Sequence, residues 1–222
     1  MKLSTFIAAV TLAVTAGCFV GPASADSNRA TIDKVLGSAS VASNQHYGNI
    51  SLVNGSVEMA SNSSADDVSV VNGSIVLQDN VSINSGSTVN GNIEAGTGLQ
   101  VTTNLETVNG KVTPGSKAKI GGNVDTVNGD ITLDNSEIAQ NVSTVNGDIT
   151  LKGSTLIKGD VVYKPRGKKK AFFGWLNDNK PSLHIGADVV IEGQILLQQE
   201  VELTLDNPAM QAKVVYDIND GR

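Results

Sequence analysis

Two histidines, His46 and His184, the aspartates Asp66, Asp67, Asp130, Asp148 and Asp160, and a run of cations and aromatics near residue 170 are the side chains here that could do chemistry. The histidines lie too many repeats apart to share a metal ion and are expected at surfaces or corners. The aspartates would suit calcium, but the G-G-x-G-x-D nonapeptide of calcium-binding β-rolls is absent, so solvated carboxylates are the expectation. Chemistry on an acidic polysaccharide calls for basic groups beside the sugar. The chain has three arginines, Arg29, Arg166 and Arg222, and few lysines in its repetitive part. No cofactor, no metal and no enzymatic activity are expected.

One segment departs from this pattern. Between residues 164 and 180, Lys164, Arg166, Lys168, Lys169, Lys170 and Lys180 stand against Asp178 alone, and Phe172, Phe173 and Trp175 lie among them. Two readings stay open. The aromatics fold back as a small satellite core, or Arg166, Lys168, Lys169, Lys170, Phe172, Phe173 and Trp175 form a docking loop. In the second reading the lysines approach anionic lipid, envelope polysaccharide or an acidic protein while the rings supply interfacial burial. Nucleic acid is not an expected partner, because the whole chain carries a net charge of −6.

The segment from Met1 to Ala25 has the three parts of a secretory signal: Met1-Lys2, an apolar run from Phe6 to Val20, and Ala23-Ser24-Ala25. The run is short for a membrane-spanning helix. Cleavage is expected after Ala25, giving a periplasmic or cell-surface protein. The alternative is a lipoprotein anchored through Cys18, since Thr15-Ala16-Gly17-Cys18 approximates a lipobox. Removal of Cys18 leaves no cysteine for disulfides or thiol chemistry.

What must position all of these residues is a repeat. The phrase Val-Asn-Gly begins at Val53, Val71, Val89, Val108, Val127 and Val145, on an almost fixed beat. A unit of this length buries its apolar face only against its neighbours, so the array reads as an all-β, single-stranded parallel β-helix. Three apolar clusters per repeat predict three short faces: Val127 with Ile131 and Leu133, then Ile138, then Val142. An antiparallel meander with Asn-Gly hairpins is the rival. The interval of three between Val124 and Val127, and between Val142 and Val145, favours a bend over a hairpin strand.

Degenerate copies at Val35-Leu36-Gly37-Ser38 and Ile191-Glu192-Gly193-Gln194-Ile195 extend the array to about nine rungs of 18–19 residues. The expected division is a lead-in or cap at 26–34, the solenoid at 35–205 and a C-terminal cap or tail at 206–222. On this register about nine extra residues leave the stack at 165–181. The pairs Asn54 and Gly55, Asn72 and Gly73, Asn90 and Gly91, Asn109 and Gly110, Asn128 and Gly129, and Asn146 and Gly147 are assigned to corners. There glycine accepts positive φ, and asparagine tolerates it while bonding backbone or the next asparagine. An exposed row, Thr126, Asn128, Asp130 and Thr132, echoed at Thr144, Asn146, Asp148 and Thr150, is the one ligand-binding alternative for this edge.

The phrase Thr-Val-Asn-Gly-Asp-Ile-Thr-Leu at 126–133 and 144–151 resembles β-helical adhesin-type repeat proteins. The stretches Gly159-Asp160-Val161, Leu183-His184-Ile185-Gly186 and Glu192-Gly193-Gln194-Ile195 are similar to the polymer-forming bactofilins. The resemblance implies a right-handed, three-sided β-helix, self-association and no catalysis, and for a solenoid association with copies of itself is expected end to end. An export signal and a basic aromatic loop are not part of the bactofilin pattern. The function expected is an exported scaffold or interaction protein of the bacterial envelope, then an adhesin or carbohydrate-binding module, and third a β-helix enzyme. One step, Ile185-Gly186-Ala187-Asp188-Val189-Val190-Ile191, matches hexapeptide acyltransferases but does not propagate through the other rungs.

Overall fold

A computed structural model describes residues 29–166 and 180–218. Every strand pairing in it is parallel and joins residues one turn apart, so the chain is a β-solenoid and the meander is ruled out. Most turns lay down three strand segments. The first face carries ten strands, from Ile32–Leu36 to Val214–Tyr216, and the second carries nine, from Ala39–Val41 to Glu202–Leu205. The short third face joins the first in one continuous sheet. In two turns a single nine-residue strand, Ser64–Asn72 and then Ser82–Asn90, runs across both.

Inward columns of Val, Ile and Leu form the core. One is Ile50, Val68, Leu105, Val124, Val142, Val161 and Ile195; a second is Val57, Ile75, Ile93, Val112, Ile131, Ile149 and Leu183. All fourteen side chains are fully buried. β-branched residues suit these positions because they lock one rotamer on a pleated surface and stack on their equivalents above and below.

Several sequence expectations need correction. The valine of Val-Asn-Gly does not belong to the core cluster. In the strand Val124–Asn128, Val124 and Thr126 point inward, and Val127 points out and is half-buried. The interval of three therefore marks no bend; the strand is straight and keeps its period of two. The inward position before that valine holds Leu52 and Val70 in early turns, then the fully buried Thr88, Thr107, Thr126 and Thr144. The hydroxyls of Thr88, Thr107 and Thr126 donate to Gly73, Gly91 and Gly110 carbonyls at 3.1, 3.2 and 3.3 Å. With Thr126 and Thr144 inside, the proposed exposed row is broken between interior and surface.

The register of Ile191-Glu192-Gly193 also differs. Ile191 pairs with Ile157 and Ile195 with Val161, so this segment repeats Ile157-Lys158-Gly159-Asp160-Val161 at another corner. Ordinary turns carry this column from Val124 to Val142 and from Val142 to Val161, but the next step runs from Val161 to Ile195. The inserted excess is thus most of a further turn, larger than the spacing suggested. The chain leaves the stack after Lys164 and rejoins with Leu183 against Ile149 and Ile185 against Leu151. Finally, pairing starts at Ile32 and ends at Tyr216, wider than 35–205. In the C-terminal segment a 3-10 helix, Pro208–Lys213, tucks Met210 against the core, but the chain then adds a tenth first-face strand whose outer edge is unpaired among the described residues.

Glycine at the Asn-Gly corner is explained mainly by close backbone approach. A Cβ built on Gly73, Gly91, Gly110, Gly129 or Gly147 would fall 1.8–2.1 Å from the carbonyl oxygen of the glycine one turn before it. Gly129→Ala is expected to cost about 3 kcal/mol or more, because backbone has to move. Asn128→Ala is expected to cost only about 1 kcal/mol. Urea unfolding followed by circular dichroism checks the ranking, and a Gly129→Ala protein as stable as the parent would contradict it.

Candidate functional site

Asparagines at the first corner form a ladder. Asn72 Nδ2 donates to Asn54 Oδ1 at 3.1 Å, and the bond repeats from Asn90, Asn109, Asn128 and Asn146 to the asparagine below at 2.9, 2.9, 2.8 and 2.8 Å. A second ladder follows two residues later. Ser38, Ser56, Ser74 and Asn92 each accept the backbone N–H of the next turn through a side-chain oxygen, at 3.2, 3.1, 3.2 and 3.0 Å. Asp130 accepts from Asp148 N–H, and Asp148 from Ser182 N–H, at 3.1 and 2.7 Å.

Two further columns escaped the sequence reading. At the bend between third and first faces, Asn104, Asn123, Asn141 and Asp160 accept the N–H of Asn123, Asn141, Asp160 and Gln194 at 2.8–3.0 Å. At the corner between second and third faces, Asn44, Asn62, Asn80, Gly98, Lys117, Asn135 and Gly153 all have positive φ, one per turn. At the Asn-Gly corner itself positive φ is found at Gly55 and Gly73, and at Gly37 in the degenerate copy, so the expectation holds there in the early turns only; the signal that could have found the fuller column is the Asn or Gly that follows Val53, Val71 and Val89 at the same interval. Lys117 stands at that interval after Val108 and hides the column, since lysine does not advertise a left-handed corner.

The aspartates are thus engaged by neighbouring turns. Asp67 Oδ1 accepts from Asn84 Nδ2 and Ser85 Oγ, and Asp66 meets Arg29 at 2.8 Å. His46 lies 2.6 Å from Ser64 Oγ near one end, and His184 lies 3.2 Å from Asp206 near the other. The structure does not bring the two histidines together. Among the described residues, no three His, Cys, Asp or Glu side chains converge as metal ligands would.

The root of the insertion is the site at which most of the irregular chemistry gathers. Tyr163 replaces the inward threonine in the turn that has lost its Asn-Gly corner. Its fully buried hydroxyl accepts the Ile149 N–H at 3.0 Å and donates to Ser182 O at 2.6 Å, closing the gap left where the chain exits. Burial pushes the phenol pKa far up. Gln199 Nε2 donates to Lys164 O at 3.0 Å and also to Val145 O at 2.5 Å. Lys164 Nζ reaches Asp125 Oδ1, two turns away, at 3.3 Å; Asp125 also accepts a hydrogen bond from Ser143 Oγ. Glu106 lies one turn below Asp125. Its pKa is raised above 4.5, first by burial and then by the Asp125 charge, against lowering by the Asn104 amide and by Lys164.

A cleft of about 570 Å³ opens at the same root, lined by Asp130, Asn146, Asp148, Arg166, Lys180 and Glu202 among others. Of the candidate docking residues, Arg166 is placed beside this cleft. Lys168, Lys169, Lys170, Phe172, Phe173 and Trp175 lie outside the described residues, as does the N-terminal segment read as an export signal.

Set against known proteins, the chain matches no family model, no curated protein and no solved structure. The adhesin-like and bactofilin-like resemblance therefore rests on the repeat phrases alone, while the β-solenoid itself stands on the parallel pairing of successive turns.

Because Glu106 holds its proton more tightly in the folded chain, the folded state binds more protons just above 4.5, and stability falls as pH rises through that window. Glu106→Gln removes this loss. Its melting temperature is expected to gain on the parent's between about pH 4 and about pH 7. An advantage of the same size at both pH values would contradict the assignment.

Proposed function

We propose that this chain is an exported, non-enzymatic scaffold of the bacterial envelope, a rigid β-solenoid that associates with copies of itself through its ends. The observation that carries the reading is where the exposed apolar side chains lie. Among the described residues, six large hydrophobic side chains are exposed. Five of them, Val35, Leu36, Val215, Tyr216 and Ile218, lie on or just beyond the first and last strands of one face. Both strands leave a backbone edge unpaired within the described chain, and an open edge with apolar flanks is a template for another strand. In the inward column of this face the first strand presents Lys34 and the last presents Tyr216. A joint between copies would bring an ammonium and an aromatic ring into one column, a favourable pairing that also fixes register. The polar ladders support a structural role, since their Asn, Ser and Asp side chains are used to hold one turn on the next. Export is supported by the charged start, apolar run and Ala-x-Ala site between Met1 and Ala25.

Sedimentation velocity of the chain starting at Asp26 tests this reading. Species larger than one chain are expected to grow with concentration, and Leu36→Lys combined with Tyr216→Lys should return the protein to monomers. Discrete single rods at every concentration would remove self-association.

A second reading, adhesion to envelope polysaccharide, is favoured by one feature. A polar trough on the third face is lined by Arg29, Asn49, Asp66, Asp67, Asn84 and Thr102. The basic aromatic loop offers a different partner, anionic lipid, through charge and interfacial rings. One binding experiment separates them. Changing Lys168, Lys169 and Lys170 together to Glu should abolish sedimentation with anionic vesicles if the loop docks to lipid, and should leave retention on polysaccharide beads unchanged if the trough is the adhesive surface. Unchanged vesicle binding would remove the lipid proposal, and no retention on the beads would remove the adhesive one.

A further inference from the structure

Six Asn-Gly dipeptides stand in one column, and they are not equally protected from their own chemistry. In an Asn-Gly pair the glycine nitrogen can attack the asparagine side-chain carbon, since glycine has no side chain to hinder the approach. Four of the pairs are held twice. The N–H groups of Gly55, Gly73, Gly91 and Gly110 donate to the carbonyls of Asn72, Asn90, Asn109 and Asn128 at 3.0, 3.0, 3.0 and 3.2 Å, and each preceding asparagine amide is bonded within the ladder.

Among the described residues, the N–H groups of Gly129 and Gly147 make no such bond. Asn128 is still gripped on both sides, donating to Asn109 and accepting from Asn146, each at 2.8 Å. Asn146 ends the ladder. It donates to Asn128, but the following turn has Pro165 and Arg166 where the next Asn-Gly would stand, so among the described residues no asparagine grips it from above. Its side chain is exposed, and Gly147, though buried in the turn, helps to line the cleft at the insertion root.

We propose that Asn146-Gly147 is a site of spontaneous deamidation in the folded protein. The Gly147 nitrogen loses its proton to hydroxide and attacks Asn146 Cγ. A new N–C bond forms, the side-chain amide C–N bond breaks, and ammonia leaves, giving a five-membered succinimide. One water then opens the ring to aspartate or isoaspartate, with no oxidant, reductant or cofactor. The product is a carboxylate that no longer donates to Asn128 Oδ1 and that adds negative charge at the corner shared with Asp130 and Asp148. The isoaspartyl form also lengthens the backbone by one methylene at the corner nearest the inserted segment. The chemistry depends on the stacking and on the end of the ladder, and it holds whatever partner the rod engages.

The test is to hold the folded full chain in mildly alkaline buffer and map the six sites over time by proteolysis and mass spectrometry, with a parallel sample in urea. Asn146 is expected to convert about tenfold faster than Asn54, Asn72, Asn90 or Asn109 when folded, a ratio equivalent to about 1.4 kcal/mol of barrier. In urea the rates should converge, because every site then has the same local sequence chemistry and no ladder. Asn146→Gln, which disfavours the five-membered ring, should remove the signal from its peptide and so assign it. Folded-state conversion of Asn146 no faster than that of the four locked sites, or the same preference for Asn146 persisting in urea, would overturn the proposal.

Discussion

The constraint on which the rest of this structure depends is that each backbone turn must lie one strand spacing above the last, with like residues in vertical register. Interstrand hydrogen bonds fix that spacing along the faces. At the corners backbone bonds between turns continue, as from Gly73 N–H to the Asn90 carbonyl, and side chains add to them: Asn on Asn at the first corner, then Ser, Asn or Asp accepting the N–H above, and the Asx column at the bend into the first face. The same contact dictates glycine, because adjacent corner glycines come so close that a methyl group would overlap the carbonyl beneath. Columns of this sort are self-consistent. Each residue is chosen by its own equivalent in the next turn, so the repeat perpetuates the residues that make it stack.

Where that constraint is broken, other residues have to restore it. The inserted segment removes one Asn-Gly corner just above the Ile149 N–H. Tyr163 fills the position with a hydroxyl long enough to accept that N–H and to donate to Ser182 beyond it. Lys164 then ties the root back to Asp125. Glu106, half-hidden one turn below Asp125, holds its proton above the ordinary range through burial first and the Asp125 charge second, and the Lys164 ammonium offsets part of that rise. The ends break the constraint in a different way. At the C-terminal end Met210 and the 3-10 helix cover part of the core, yet the outer edge of the last strand, Val214–Tyr216, is unpaired among the described residues.

Much of the fold was legible in the sequence, and the reasons it was partly misread are physical. A near-constant step between copies requires stacking wherever apolar and corner residues keep the same beat. Facing direction was harder. Val127 reads as core because valine is apolar, and Thr126 reads as surface because it has a hydroxyl, but sheet alternation puts the threonine inside, where a glycine carbonyl accepts its proton. The Ile-x-Gly of residues 191–193 mimics the Asn-Gly corner because all three corners favour small residues beside an apolar one. The last strand carries no repeat phrase, so only its pairing with Ile195–Leu197 reveals it. The candidate site was less legible still: Asp125, Ser143 and Lys164 stand far apart in the chain and are neighbours only because turns are stacked.

By itself the sequence determined that this is a parallel solenoid, how long each turn is, and which dipeptides hold one corner, since those features arise from interactions between a residue and its own copy one period away. Only the tertiary structure decided which side of each strand faces the core, where the inserted residues leave and rejoin, and which polar groups are already engaged. Those depend on distances between residues with no sequence relation, set by the pitch and by the closure of each turn, and no local pattern encodes them.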